Sequence, residues 1–107
     1  MNKAGDVIKV CAANEIADGE IKSFRFDDTA ILIAKYDNQY FALEDTCSHD
    51  GAELSDGDLV DCQIQCQRHG GRFNLKTGEA TQMPAIVGIK RFDVKIENGD
   101  IFIELRN

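Results

Sequence analysis

The chain has no tryptophan, one proline, two histidines, and only 12 lysine and arginine residues against 19 aspartate and glutamate. The shortage of cations leaves a formal net charge of -7. That sign argues against a nucleic-acid binder, because phosphate contacts need clustered Lys and Arg. It disfavours an anionic membrane surface for the same reason. Nowhere does an apolar run approach the roughly 18 residues of a membrane-crossing helix. The opening segment, MNKAGDVIKV, lacks the apolar core of a signal peptide. The expectation is a soluble, cytoplasmic protein with no nucleic-acid and no membrane partner.

What is present suits one folding unit. At 107 residues the chain has the length of a single domain, residues 1–107, and is large enough to bury a modest core without staples. Nine glycines and scattered Asn-Gly and Asp-Gly pairs punctuate short segments rich in Val, Ile, Phe and Thr, the pattern of an all-β protein. Strands are expected over Val7 to Ala12, Glu20 to Phe26, Ala30 to Tyr36, Tyr40 to Glu44, Leu59 to Gln65, Arg72 to Asn74, Ile89 to Ile96 and Ile101 to Leu105. Phe92, Val94 and Ile96 alternate with Arg91, Asp93 and Lys95, as in a strand with one buried face. Turns are expected at Asp37-Asn38, Lys76-Thr77-Gly78 and Asn98-Gly99, where the residue types tolerate tight reversals. Between about 45 and 84 the strands shorten and glycines concentrate, which suggests a small loop-built subdomain carried on a sheet scaffold.

Four cysteines without an export signal belong to a reducing compartment, where thiols serve more often as metal ligands than as disulfide halves. Their spacing is informative. Cys47-Ser48-His49 and Cys66-Gln67-Arg68-His69 read C-x-H and C-x2-H, and they contain both histidines of the chain. Two thiolates and two imidazoles are a donor set for tetrahedral zinc, but common zinc sites pair like ligands within each element. Here each loop offers one of each, which suits a [2Fe-2S] cluster with both Cys on one iron and both His on the other. Cys11 and Cys62 have no partner at ligand spacing and read as small buried hydrophobes.

On these residues the sequence resembles the Rieske-type [2Fe-2S] ferredoxins. The likeness rests on CSHDGAELSDGDL and CQRHGGRFNLKTGEA, with Met83-Pro84-Ala85 at the place of the family's third, proline-containing loop. Gln67 stands where a proline often follows the second-loop cysteine. The resemblance implies the Rieske fold, an antiparallel sandwich or barrel-like scaffold with a cluster-binding subdomain. It also implies one Rieske [2Fe-2S] cluster per chain, held by Cys47, His49, Cys66 and His69. Two neutral imidazoles in place of two thiolates make the oxidised cluster about two charges less negative, so an added electron costs less than in an all-cysteine cluster.

The resemblance further implies a low-potential member of the family. High-potential relatives carry a loop disulfide at positions matching Ala52 and Arg68, and Ser and Tyr hydroxyls at positions matching Gly71 and Phe73. None of those groups is present here. Hydroxyl donors favour the more negative reduced state, so the expected midpoint lies toward the bottom of a range of roughly -150 to +300 mV. No Lys or Arg stands between Tyr36 and Gln67, while Glu44, Asp45, Asp50, Glu53, Asp56, Asp58 and Asp61 are acidic. Such low-potential ferredoxins are monomeric carriers that pass single electrons from an NAD(P)H-dependent FAD flavoprotein reductase to a terminal Rieske non-haem iron oxygenase in aromatic ring hydroxylation. An oxygenase reading fails because a facial triad needs two further histidines that the chain lacks. A redox-sensing or metal-stabilised interaction module, and a small subunit of a nitrite-reductase-like complex, are the alternatives.

Overall fold

The computed structural model describes residues 6–26, 29–46, 53–67, 70–83 and 88–105. Among these described residues ten strands run in chain order: β1 (Asp6–Ala12), β2 (Ile21–Phe26), β3 (Thr29–Tyr36), β4 (Gln39–Glu44), β5 (Asp58–Val60), β6 (Gln63–Gln65), β7 (Arg72–Asn74), β8 (Ala80–Gln82), β9 (Arg91–Glu97) and β10 (Asp100–Leu105). They form two antiparallel sheets. The larger has the order β1-β10-β9-β4-β3-β2 and the smaller the order β5-β6-β7-β8. Among the described residues no helix is long and apolar enough to cross a membrane.

The large sheet curls until its two edge strands share an interior. Cys11 of β1 and Phe24 and Phe26 of β2 pack on the same cluster as Ile31, Ile33, Ala42, Phe92, Ile101 and Ile103. The Tyr40 hydroxyl donates to the Ala13 carbonyl at 2.9 Å and helps hold that closure. The result is a nearly closed, barrel-like sheet, and the all-β expectation is met.

β3 explains why the sequence there shows an apolar run and no alternation. Ile31 and Ile33 point into the barrel, whereas Leu32 and Ala34 point to the opposite face, beneath the small sheet. A strand buried on both faces needs apolar side chains at every position. Ala42 and Leu43 of β4 divide in the same way. The outward residues Leu32 and Leu43 make the floor on which Leu54, Ile64, Cys66, Phe73, Leu75 and Ile89 pack. This second core joins the loop-rich region to the scaffold. Truncating a ring buried like that of Phe73, which is fully enclosed, typically costs about 3–5 kcal/mol.

Two expectations need correction. The single strand anticipated over Leu59 to Gln65 is a hairpin, β5 and β6, because Asp61 (φ 49°) and Cys62 (φ 59°) both adopt left-handed backbone. β8 was not anticipated; it pairs with β7 once the turn after Asn74 reverses the chain. The predicted turns at Asp37-Asn38 and Asn98-Gly99 are present, each with two positive φ values. Burial along the β9 face fades from Phe92 through Val94 to Ile96, which is 44% exposed near the hairpin tip.

Candidate metal centre

Of the four expected ligands, Cys66 is among the described residues, whereas Cys47, His49 and His69 lie outside them. Ala52, Arg68, Pro84 and Ala85 also lie outside them. Cys66 follows β6 directly and is a free thiol, 2% exposed. Its backbone is held on both sides. The Cys66 N–H donates to the Gly71 carbonyl at 2.7 Å, and the Gly70 N–H donates to the Cys66 carbonyl at 3.1 Å. Gly70 has φ +79°, a region that L side chains enter at a cost, so this tight reversal needs glycine. Gln65 fixes the outgoing strand by accepting from Arg72 Nε at 3.0 Å.

The first loop is rooted at both ends. β4 delivers the chain to Asp45, whose N–H extends the sheet ladder to the Ala30 carbonyl at 2.9 Å. Beyond the loop, a 3-10 turn over Leu54–Asp56 carries Leu54 into the second core. Leu54 and Cys66 are members of that one buried cluster. The end of the C-x-H loop and the start of the C-x2-H loop are therefore fixed by the same packing. Gly57 brings the turn against β6: a methyl group there would stand 2.0 Å from the Gln65 carbonyl oxygen.

The third loop is bracketed in a similar way. Ile89 N–H donates to the Gly78 carbonyl at 2.8 Å, and a methyl on Gly78 would meet the Ile89 carbonyl oxygen at 2.2 Å. Met83, entering that loop, is 72% exposed.

The donor chemistry fits an iron-sulfur group. Cys66 presents a free thiol within the buried apolar core, and the segments expected to carry the ligands start or end on anchored backbone. Among the described residues no group of three or more His, Cys, Asp or Glu side chains gathers to hold a metal. Neither Cys11 nor Cys62 takes part in a second centre there. Cys11 is buried as expected, and burial, reinforced by the Glu15 carboxylate, raises its pKa above the ordinary value. Cys62 is only half-buried; it sits in the β5-β6 turn and packs against the second core. The positions matching hydroxyl donors are Gly71, whose carbonyl is committed to Cys66, and Phe73, fully buried beside Cys66 and Leu54.

Sequence reasoning missed a side chain that joins the segments on either side of residues 47–52. Asp45 is 2% exposed, although in the sequence it stands only as part of an acidic run. Its Oδ1 accepts from the Ser55 N–H at 2.8 Å, and its Oδ2 accepts from Ser55 Oγ at 2.8 Å and from Ser23 Oγ at 2.7 Å. Its place two residues before C-x-H was readable; its partner on β2 was not, because that contact depends on sheet topology.

Comparison with known proteins agrees with this geometry. Residues 6–93 match the model of the Rieske [2Fe-2S] domain. The chain is 36% identical over 97 residues to the ferredoxin component of biphenyl 2,3-dioxygenase from Rhodococcus jostii (strain RHA1), covering 91% of each chain. It is 35% identical over 102 residues to the ferredoxin component of the p-cumate 2,3-dioxygenase system of Pseudomonas putida, covering 94% of this chain and 86% of that one. Among solved structures, a chain in the complex of reduced oxygenase and oxidized ferredoxin in carbazole 1,9a-dioxygenase superposes with a TM-score of 0.86 at 34% identity, covering 92% of both chains. With that family model matching residues 6–93 and relatives of this identity covering nearly all of the chain, this chain belongs to the Rieske [2Fe-2S] domain family.

Proposed function

We propose that this protein is the ferredoxin component of an aromatic-ring dioxygenase system, a carrier and not itself an enzyme. In this reading one Rieske-type [2Fe-2S] cluster is held by Cys47 and Cys66 on one iron and by His49 and His69 on the other. Residues 45–84 form the cluster-bearing subdomain of a single unit, 1–107. When bound, such a group supplies a centre that takes up and gives back one electron.

The chain's own residues do the rest. Cys66 supplies its sulfur from a dry position, with its backbone clamped to Gly70 and Gly71. Leu54 and the Asp45 carboxylate hold the exit of the first loop. Rigid anchoring of this kind limits the rearrangement that accompanies electron transfer and preorganises the donors. Phe73 and Gly71 offer no hydroxyl to stabilise the reduced state, which supports a low midpoint. The observation that carries the reading is the pair of mixed Cys/His loops rooted in one core through Leu54 and Cys66. The proposed partners are an NAD(P)H-dependent FAD flavoprotein reductase and a terminal Rieske non-haem iron oxygenase. Docking to each is brief, since a carrier must leave as readily as it binds. The carrier is monomeric and acts in the cytoplasm.

The test is direct. Anaerobically purified protein contains iron and labile sulfide, and after dithionite reduction its electron paramagnetic resonance spectrum has an average g value below that of all-cysteine clusters. Reconstituted with such a reductase and oxygenase, it supports turnover that stops when it is omitted. Colourless protein containing zinc, or inertness in every reconstituted pair, overturns the assignment.

A further inference from the structure

We infer that Asp45 is a positioning residue whose carboxylate ties together the two ends of the segment that carries Cys47 and His49, and that the Asp45-Ser55-Ser23 hydrogen-bond set governs how long the cluster stays bound. The inference rests on the proposed assignment of Cys47 and His49 as ligands. It adds a role for side chains that touch no metal themselves.

The observation is unusual on energetic grounds. Asp45 is the one charged or polar side chain in the buried set among the described residues. Removing a carboxylate from water is costly unless hydrogen bonds replace the lost hydration. Three donors do so, and they come from different parts of the chain. Ser55 gives both its N–H and its hydroxyl at 2.8 Å from a position ten residues further on, while Ser23 on β2 gives its hydroxyl at 2.7 Å. The residue's own N–H is tied to Ala30 of β3.

These bonds make Asp45 a three-way junction between the scaffold, the entry to the loop and the 3-10 turn that ends it. The bonds join the two ends of the stretch from Asp45 to Ser55, which in the sequence carries Cys47 and His49. Packing of Leu54 and the Asp45 N–H bond to Ala30 fix the two ends separately on the scaffold. The carboxylate adds a direct tie between them through two bonds to one residue, which fix direction as well as distance. In this role, the junction resists separation of the two ends, and its loss shortens the time for which the cluster is held.

The test compares Asp45→Ala, Asp45→Asn, Ser55→Ala and wild type. Cluster lifetime is followed by visible absorbance under a chelator, reduced-state electron paramagnetic resonance by its g values, and folding by urea denaturation of each protein. Asp45→Ala removes every acceptor and is expected to lose its cluster at least tenfold faster, with shifted or broadened g values. In Asp45→Asn the amide oxygen still accepts from the Ser55 N–H and the amide nitrogen donates to the two hydroxyls, which serve as donor or acceptor. That variant is expected within threefold of the wild-type rate with unchanged g values. Ser55→Ala, which keeps the N–H bond, is expected to fall between them, so the inference stays testable if Asp45→Ala fails to fold. A wild-type lifetime in both Ala variants overturns the inference, as does an Asn variant as labile as Asp45→Ala. Wild-type protein that carries no iron and sulfide overturns the proposed function and the inference together. An iron-loaded wild type with indifferent variants overturns the inference alone.

Discussion

Gly57 and Gln65 approach so closely that no side chain fits between them: a methyl on Gly57 would lie 2.0 Å from the Gln65 carbonyl oxygen and 3.1 Å from that of Leu54. The backbone of Gly57 is extended, at φ -86° and ψ -165°, a conformation open to any residue, so the requirement for glycine is purely one of space. Gly57→Ala must push the 3-10 turn away from β6, the strand that delivers Cys66. Overpacking of this kind costs about 1–3 kcal/mol, which lowers the melting temperature by roughly 4 °C or more per kcal/mol in a chain of about this size. Gly99→Ala is the contrasting case. Gly99 has φ +79° with open space around it, so only the backbone penalty of about 1 kcal/mol applies. Thermal denaturation of the two variants is expected to rank Gly57→Ala as the more damaging, and only that variant is expected to shorten cluster lifetime. Equal loss at both positions would refute the steric account.

The contrast also shows what was legible in the sequence. Asn98-Gly99 and Asp37-Asn38 announce their turns through residue type, and the register follows: Asp100 pairs with Glu97 across the first, Tyr36 with Gln39 across the second. Asp61-Cys62 does not, because cysteine is no turn former, and the segment reads as one continuous strand until two positive φ values break it. β8 carries only Ala80, Thr81 and Gln82 and has no apolar alternation to betray it. At the proposed centre, donor types and spacing point to Cys47, His49, Cys66 and His69, of which Cys66 is among the described residues. The junction at Asp45 was hidden, because Ser23 comes from 22 residues earlier in the chain and its approach is a product of the β2-β3-β4 meander.

Phe73 offers a lever on the reduction potential. Its ring is fully buried in the cluster that contains Cys66, at the position where high-potential relatives place a tyrosine. Phe73→Tyr combined with Gly71→Ser adds two hydroxyl donors that favour the reduced, more negative state. A hydrogen bond to a charged group is worth about 1.5–3 kcal/mol. With tenfold, or about 1.4 kcal/mol, equal to roughly 59 mV in a one-electron couple, a rise of about 50–100 mV is expected even if only part of that energy distinguishes the two states. Protein-film voltammetry measures it. An unchanged midpoint in a variant that still holds its iron would show that the missing hydroxyls do not set the potential. For the unaltered protein, a midpoint well above about +100 mV would contradict the low-potential reading.

Cys11 makes stability sensitive to alkaline pH. Burial, with help from Glu15 and against a smaller opposing pull from Lys22, raises its pKa above 9.0. As pH climbs past that value the thiol of the unfolded chain ionises first, so the folded state holds more protons and stability falls. The contribution is complete below about pH 9 and is lost as pH rises through the folded-state pKa. Urea midpoints at about pH 8 and about pH 10 are expected to differ less in Cys11→Ala than in wild type. A difference that is the same in both proteins would exclude Cys11 as the titrating group.

The acidic surface bears on how fast the carrier meets its partners. Glu53, Asp56, Asp58 and Asp61 are all exposed, follow the first ligand loop, and lie in a stretch without Lys or Arg from Tyr36 to Gln67. A field of one sign beside the proposed redox centre attracts a basic docking face and orients it before contact. Salt shortens its reach, to about 10 Å at 0.1 M ionic strength. In stopped-flow reduction by the proposed flavoprotein reductase, the second-order rate constant is expected to fall roughly tenfold between about 0.02 and 0.3 M salt. The Asp56→Asn and Asp58→Asn double variant is expected to start slower at low salt and converge on wild type at high salt, with an unchanged electron paramagnetic resonance spectrum. Convergence is the discriminating result, because a merely solvated face would give two parallel, salt-independent lines, whereas steering predicts that the gap between the proteins closes as the field is screened.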